Sequence, residues 1–282
     1  MDSTWSVADV VARMDEWYPP HTAESWDRVG LVLGDPTRRV HRLLLAVDPV
    51  AATVGEALDH GADMVITHHP LYLRGTSFLP EDDPKGALVA RLIRSGTALL
   101  NAHTNADIAW GGVSAALADL VGLRDSRPLE PTGEDAGGHA VGFGRIGGVT
   151  PQSLGAFADH VASVLPAGPH GLFVGGDEGA TVRVVAVSGG AGDHFLHAAR
   201  RAGADVFLTA DLRHHPASEH LEGGAPALLC ASHWATEWPW LPVLARRLRV
   251  AARADGVELD VEVSTMVTEP WNTHRPTTGG HR

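Results

Sequence analysis

The segment GADMVIT at residues 61–67 is answered by GADVFLT at residues 203–209, and the stretches around the two match in order. In the first half an apolar run, RLLLAV (42–47), leads into AATVGEALDHGAD (51–63), which has apolar residues at helical spacing and Gly61 at a C-cap position. In the second half VRVVAVSGG (182–190) and GDHFLHAARRAGAD (192–205) take the same places. Further on, LLNAHTNAD (99–107) is answered by LLCASHWATE (228–237), so a strand ends in His-x-x-x-acid in each half. Short continuous apolar runs alternating with helical periodicity predict parallel strands buried on both faces and joined by helices. Matching order and spacing are harder to obtain by chance than a lone motif. The chain is therefore expected to be an α/β protein of two similar lobes produced by internal duplication.

Between the matched stretches, KGALVARLIRSG (85–96) predicts a further helix and TALLNAH (97–103) a third strand. Residues 124–181 break the pattern: GHAVGFGRIGGVTPQSLGAFADHVASVL predicts hairpin strands and one helix bridging the lobes. The division is placed near Thr132, with residues 1–131 as the first lobe and 132–282 as the bridge and second lobe. The opening MDSTWSVADVVARMDEWYPP reads as an amphipathic helix stopped by Pro19 and Pro20, and Asp2, Asp9, Asp15 and Glu16 are foreign to a signal peptide. The closing NTHRPTTGGHR (272–282) reads as a frayed tail.

Ligand sites in open α/β sheets gather at the carboxyl ends of the strands. His68, His69, His103 and Asp107 fall there in the first lobe, and His233 and Glu237 in the second. A helix begun by HWATEW would put His233 and Glu237 at i and i+4 on one face. A mixed His/carboxylate set suits zinc, manganese, iron or nickel, and a water between two such cations would be acidified into a nucleophile at neutral pH. Each part has a plainer reading. With 17 His among 282 residues, chance supplies roughly one adjacent pair, and His214-His215 is a second one. His103 and Asp107 could be a turn and a cap, and His233 with Glu237 a solvated helix pair. The duplicated context favours one shared site, because it would account for all three segments together.

The 44% apolar and 20% charged residues are those of an ordinary folded protein. A net charge of −12 argues against nucleic acid as a partner. Cys230 stands alone, which excludes an intramolecular disulfide, and a reducing cytoplasm is the expected compartment. No uncharged apolar run approaches the roughly 18 residues of a membrane span. The Gly-rich runs at 137–148 and 189–192 lack the Lys or the spacing of a phosphate cradle.

The ordered motifs AESWDRVGLVLGD, LLLAVDPV, GADMVITHHPLYLRG, HTNADIAWGGVSAALADLVGL, TADLRHHPA and SHWATEWP together resemble the Nif-three-like dinuclear metal-centre family, also called the GTP cyclohydrolase 1 type 2 family. The resemblance covers nearly the whole chain. It implies a two-metal site between two α/β lobes, in a subunit of a ring-shaped homohexamer. The implied ligands of two divalent ions (zinc, iron, manganese or nickel) are His68, His69, Asp107, His233 and Glu237, with Glu237 bridging. His103 would stand beside them in a supporting or proton-transfer role, and Asp48, Asp211 and His215 would line the pocket. Three positions depart from the family pattern: Arg28 replaces a usual Asn, Ala210 a usual Gly, and Ser232 a frequent Gly. The short middle leaves no room for the insertion domain of some members.

The expected function is that of a metal-dependent hydrolase acting on a nucleotide-like or phosphorylated small molecule, with GTP as the substrate the family name suggests. Its rivals are a metal-dependent phosphoesterase and a non-catalytic metal-binding scaffold or metal-handling ring.

Overall fold

The computed structural model describes residues 4–277. The expected tail at 272–282 therefore lies partly outside the described residues. The chain opens with β1 (Trp5–Ser6) and α1 (Val7–Trp17), then β2 (Gly30–Leu33), β3 (Arg39–Val40), β4 (Arg42–Ala46), α2 (Ala51–Asp59) and β5 (Met64–Thr67). It continues through α3 (Pro84–Ser95), β6 (Ala98–Asn101), α4 (Thr104–Ile108), α5 (Val113–Leu120), β7 (Arg124–Glu134), β8 (Ala140–Ser153) and α6 (Leu154–Val164). The last part holds β9 (Phe173–Gly175), β10 (Thr181–Ala191), α7 (Leu196–Arg201), β11 (Val206–Ala210), α8 (His214–Glu222), β12 (Ala227–Ala231), α9 (His233–Glu237), α10 (Trp240–Ala254) and β13 (Asp260–Val263).

The helix ends follow from local chemistry. Ser6 and Asp9 form a reciprocal capping box at the start of α1, which stops before Pro19 as its sequence requires. Asp83 accepts from the backbone N–H groups of Lys85 and Gly86 at 3.0 Å each, Pro84 follows it, and Gly96 closes α3 at φ 71°.

Two large sheets and a two-stranded antiparallel pair, β1-β3, result among the described residues, and the molecule is mixed α/β. The first has the order β13-β4-β5-β6-β2, parallel except for the edge strand β2. The second has the order β7-β8-β10-β11-β12-β9, with β10, β11 and β12 parallel to one another. The repeated Gly-Ala-Asp does the same work in each sheet. Gly61 and Gly203 turn the chain at φ 63° and 75°, conformations that a side chain disfavours. The Asp63 carboxylate accepts from the N–H groups of His41 (2.8 Å) and Arg42 (3.1 Å), and Asp205 accepts from Arg183 (2.7 Å) and Val184 (2.9 Å). Each Asp thereby ties the start of its own strand to the start of the strand before it.

Residues 124–181 supply the expected hairpin strands and helix, β7, β8 and α6; β8 pairs directly with β10 (Val185↔Gly147) in the second sheet, and from β8 Arg145 donates to the Ala109 carbonyl just after α4. The division expected near Thr132 falls inside β7, and β13 returns to pair with β4 of the first sheet. The helix expected over GDHFLHAARRAGAD is split into a 3-10 turn at Asp193–Phe195 and the shorter α7.

The chain's return has a packing reason. Trp240, Leu241, Leu244 and Leu248 of α10 are buried with Val7, Val10, Leu43 and Met64 in one core beneath the first sheet. Each such side chain contributes roughly 1.5–3 kcal/mol by leaving water. Trp240 Nε1 also donates to the Tyr18 hydroxyl at 3.1 Å. No helix is long and apolar enough to cross a membrane among the described residues.

Candidate metal centre

The strand ends of the two sheets converge on six of the side chains singled out from the sequence. His68 and His69 directly follow β5, where the backbone still pairs: their N–H groups donate to Ala46 and Val47 of the neighbouring segment. His103 precedes α4 and Asp107 lies in it. His233 and Glu237 open and close α9, so the expected i, i+4 pair is formed. One donor atom from each of His68, His69 and His103 lies within 4.8 Å of the others, and the same holds for His69, His233 and Glu237. These groups could hold a metal ion.

Each imidazole is held by one nitrogen and presents the other. His68 Nδ1 donates to the Ala102 carbonyl at 2.9 Å, which leaves Nε2 facing the cluster. His69 Nδ1 donates to Asp48 Oδ1 at 2.6 Å, and His233 Nδ1 to Asp211 Oδ2 at 2.7 Å. His103 Nδ1 lies 3.1 Å from both oxygens of Asp27. Carboxylates behind imidazoles fix ring orientation and raise the basicity of the nitrogen presented. Asp48 and Asp211 thus gain a defined role as orienting partners, whereas His215 lies exposed at the start of α8 beside His214.

The presented atoms crowd together. Glu237 Oε2 is 3.0 Å from His69 Nε2, and Oε1 is 3.0 Å from His233 Nε2 and 3.5 Å from His68 Nε2. Asp107 Oδ1 is 3.7 Å from His68 Nε2. Yet His68 Nε2, Asp107 Oδ1 and Glu237 Oε2 are buried without any hydrogen-bond partner among the described residues. Buried polar atoms left unpartnered are costly. Nitrogen and carboxylate donors that approach one another closely without aligned hydrogen bonds suit a shared cation, so the residues fit a metal.

The charges respond to this crowding. Burial opposes ionisation of Glu237, but His69, His233 and His68 together hold its carboxyl well below the usual range. Burial pulls His69 down, yet the Glu237 carboxylate and the Asp48 hydrogen bond outweigh it and lift the ring to about 10. His233 is lifted to about 11 against its burial by Glu237 and Asp211. Burial dominates at Asp107 and pushes its carboxyl up.

Several residues of the site were not singled out by sequence reasoning. Asp27 is 4% exposed, accepts from His103, from Thr104 Oγ1 (2.6 Å) and from Thr104 N (3.0 Å), and so anchors the turn into α4. Gly190, at φ 65°, brings bare backbone against the cluster, and a Cβ there would meet Glu237 Oε1 at 2.5 Å. Its signal was positional: SGG follows VRVVAV at a strand end, as DP follows LLLAV. Thr268 donates to Asp48 Oδ2, and Glu269 accepts from Trp234 N at 2.8 Å, so the segment after β13 is tied to both halves of the cluster. Of the departures noted above, Ser232 caps α9 by accepting from Ala235 N at 3.1 Å, and Arg28 donates to the carbonyls of Ser25 and Asp27.

The site opens on two sides. A cavity of about 460 Å³ reaches His103, Asp107, His233 and Glu237, and one of about 280 Å³ reaches His69, Asp48, Asp211 and Trp271.

Residues 5–270 match the family model described as Duf34/NIF3 (NGG1p interacting factor 3). A Streptomyces coelicolor protein named "GTP cyclohydrolase 1 type 2 homolog" is 49% identical over 269 residues, covering 95% of this chain and 94% of the relative. A Mycobacterium leprae protein of the same name is 34% identical, covering 94% and 95%. Among solved structures, a hypothetical protein of Staphylococcus aureus superposes with a TM-score of 0.88 at 27% identity, covering 96% of this chain and 100% of that one. A Bacillus cereus protein related to NIF3 superposes equally well, TM-score 0.88, at 23% identity over 95% and 99% of the two chains. With the family model spanning nearly its whole length, this chain belongs to the Duf34/NIF3 family.

Proposed function

We propose that this chain holds two divalent cations between the strand ends of its two sheets and acts as a metal-dependent hydrolase on a nucleotide-like small molecule. The observation that carries this reading is the set of buried, unpartnered atoms, His68 Nε2, Asp107 Oδ1 and Glu237 Oε2, with Asp107 Oδ1 3.7 Å from His68 Nε2 and the Glu237 oxygens 3.0 Å from Nε2 of His69 and of His233. His68, His69, Asp107, His233 and Glu237 would hold the ions, zinc, iron, manganese or nickel by donor type. Glu237 is suited to bridge, since its two oxygens face different histidines. Bound there, the ions would supply Lewis-acid polarisation and acidify water.

The chain's own residues do the rest. Asp48 and Asp211 orient His69 and His233. His103, held by Asp27 and lining the larger cavity, is placed to take up or return a proton at its other nitrogen. The matching hydrogen bonds of Asp63 and Asp205 support internal duplication as the origin of the paired sheets. The homohexamer implied by the family likeness belongs to the same proposal.

Elemental analysis after gentle purification should give close to two metals per chain. Metal should restore turnover of a nucleotide and phosphoester panel to stripped protein, and Glu237→Ala should abolish both. A metal content near zero would sink the reading.

A further inference from the structure

The larger cavity beside the cluster carries more than the metal chemistry uses. Its outer wall is aromatic. Trp26 is 53% exposed and meets the His103 ring edge-on at 6.0 Å, while Phe143 and Phe195 pack 5.7 Å apart on the same cavity. Exposed aromatic faces in a concave site offer a stacking platform, which every planar heterocycle can use.

Its fixed charge is mostly negative. Glu24, Asp107 and Glu237 line the cavity together with His103, His194 and His233, neither a Lys nor an Arg does so in this cavity or in the smaller one among the described residues, and the His233 ring is already held between Asp211 (2.7 Å) and Glu237 (3.0 Å). The guanidinium groups on adjoining segments are engaged elsewhere, Arg28 with the carbonyls of Ser25 and Asp27, and Arg213 with Asp193 at 2.6 Å. A polyphosphate chain is normally met by Lys, Arg or a glycine-rich cradle of N–H groups. Here it would meet carboxylates, and imidazoles of which His103 and His233 already face Asp27 and Glu237.

Glu24 completes the picture. It is half-buried, its backbone N–H is fixed by Thr104 Oγ1 at 2.9 Å, and its carboxylate makes no hydrogen bond or ion pair among the described residues. A carboxylate is acceptor-only and can take two parallel N–H donors. The heterocyclic edge that offers such a pair is a ring N–H next to an exocyclic amino group.

We infer that this cavity recognises an uncharged amino-substituted heterocycle, with Trp26 as the stacking surface and Glu24 reading its paired N–H donors, and that a phosphate tail contributes nothing to recognition. The inference rests on the proposed hydrolase reading only in taking this cavity for the substrate's.

The test is calorimetric titration of the full chain, metal-stripped and zinc-loaded, with guanosine, pterin, inosine, GTP and inorganic triphosphate. In stripped protein, guanosine or pterin should bind saturably, and GTP less than about 10-fold more tightly than guanosine, because neither metal, Lys nor Arg is present to hold the phosphates and the His233 ring is engaged by Asp211 and Glu237. Inosine lacks the amino group and should bind about 10-fold more weakly than guanosine, as should guanosine to Glu24→Gln, since each loses a hydrogen bond to a charged acceptor. Trp26→Ala should cost about 10-fold through lost stacking. Both variants should retain the metal content of the parent. The inference is overturned by an advantage of GTP over guanosine of about 10-fold or more, by binding of triphosphate to stripped protein, by indifference to both substitutions, or by no binding of guanosine or pterin. Zinc retention is measured separately, so failure of the metal reading would register there and leave the stripped-protein titrations intact.

Discussion

Asp48 Oδ1 stands 2.6 Å from Nδ1 of His69, and the same carboxylate accepts through its other oxygen from Thr268. A strand-end loop of the first sheet and the segment after its last strand thus jointly fix one imidazole. Removing the carboxylate in Asp48→Ala should lower metal affinity about 10–100-fold, the usual cost of losing such an orienting partner. Competition with a chromophoric chelator measures this. An unchanged affinity would mean that His69 is oriented by its backbone alone.

The two histidine pairs can be told apart. His68 is fully buried with an unpartnered Nε2, whereas His214 is exposed on α8. His68→Ala should lose bound metal and His214→Ala should keep it, as read by elemental analysis. Equal loss from the two would contradict the assignment.

Cation binding must displace protons. In the metal-free site His69 and His233 are raised to about 10 and about 11, so they carry a second proton at neutral pH. Metal affinity should therefore rise with pH up to that range, and calorimetry in buffers of different ionisation enthalpy should report proton release. Stability of the stripped protein should move the opposite way. A folded pKa raised above the unfolded value of 6.5 contributes stability that is complete below 6.5 and is lost as pH climbs through about 10 to 11. The melting temperature of stripped protein should accordingly fall between neutral pH and pH ~11. A flat profile, with no proton release, would contradict the charge arrangement.

A side chain at Gly190 would press on the cluster. Its φ of 65° disfavours an L-residue by about 1–2 kcal/mol, and an added Cβ would meet Glu237 Oε1 at 2.5 Å. Gly190→Ala should reduce stability to urea by at least that amount and displace Glu237, with metal lost as well. A variant of parental stability and metal content would show that the carboxylate has room to yield.

At Asp27 the burial penalty is outweighed by His103 and Thr104, which hold the carboxyl well below the usual carboxylate range. The sign is that of a depressed acid. Its contribution is complete above the unfolded value of 3.8 and is lost as pH falls through the folded one. Asp27→Asn should thus be less stable than the parent near neutral pH, by roughly 1–3 kcal/mol for the partners of a buried carboxylate. The gap should narrow under strong acid in denaturant titrations at several pH values.

The parallel strands were legible in the sequence, because continuous apolar runs such as LLLA and MVIT stand out by hydrophobicity alone, and so was the end of α1, which Pro19 and Pro20 mark. The sequence also named the six clustered side chains, since strand ends followed by His-His or His-x-x-x-acid are local patterns. The partners of these side chains come from the fold. Nothing local to Asp27 announces His103, 76 positions away, and nothing local to Asp48 announces Thr268, 220 positions away. The return of α10 and β13 to the first sheet was equally hidden: an amphipathic helix specifies that it needs an apolar surface, and the surface it finds is set by the whole packed chain. The convergence of two strand ends on Glu237 is of the same kind, because sequence fixes which atoms can bind a cation and only folding brings them within reach of one another.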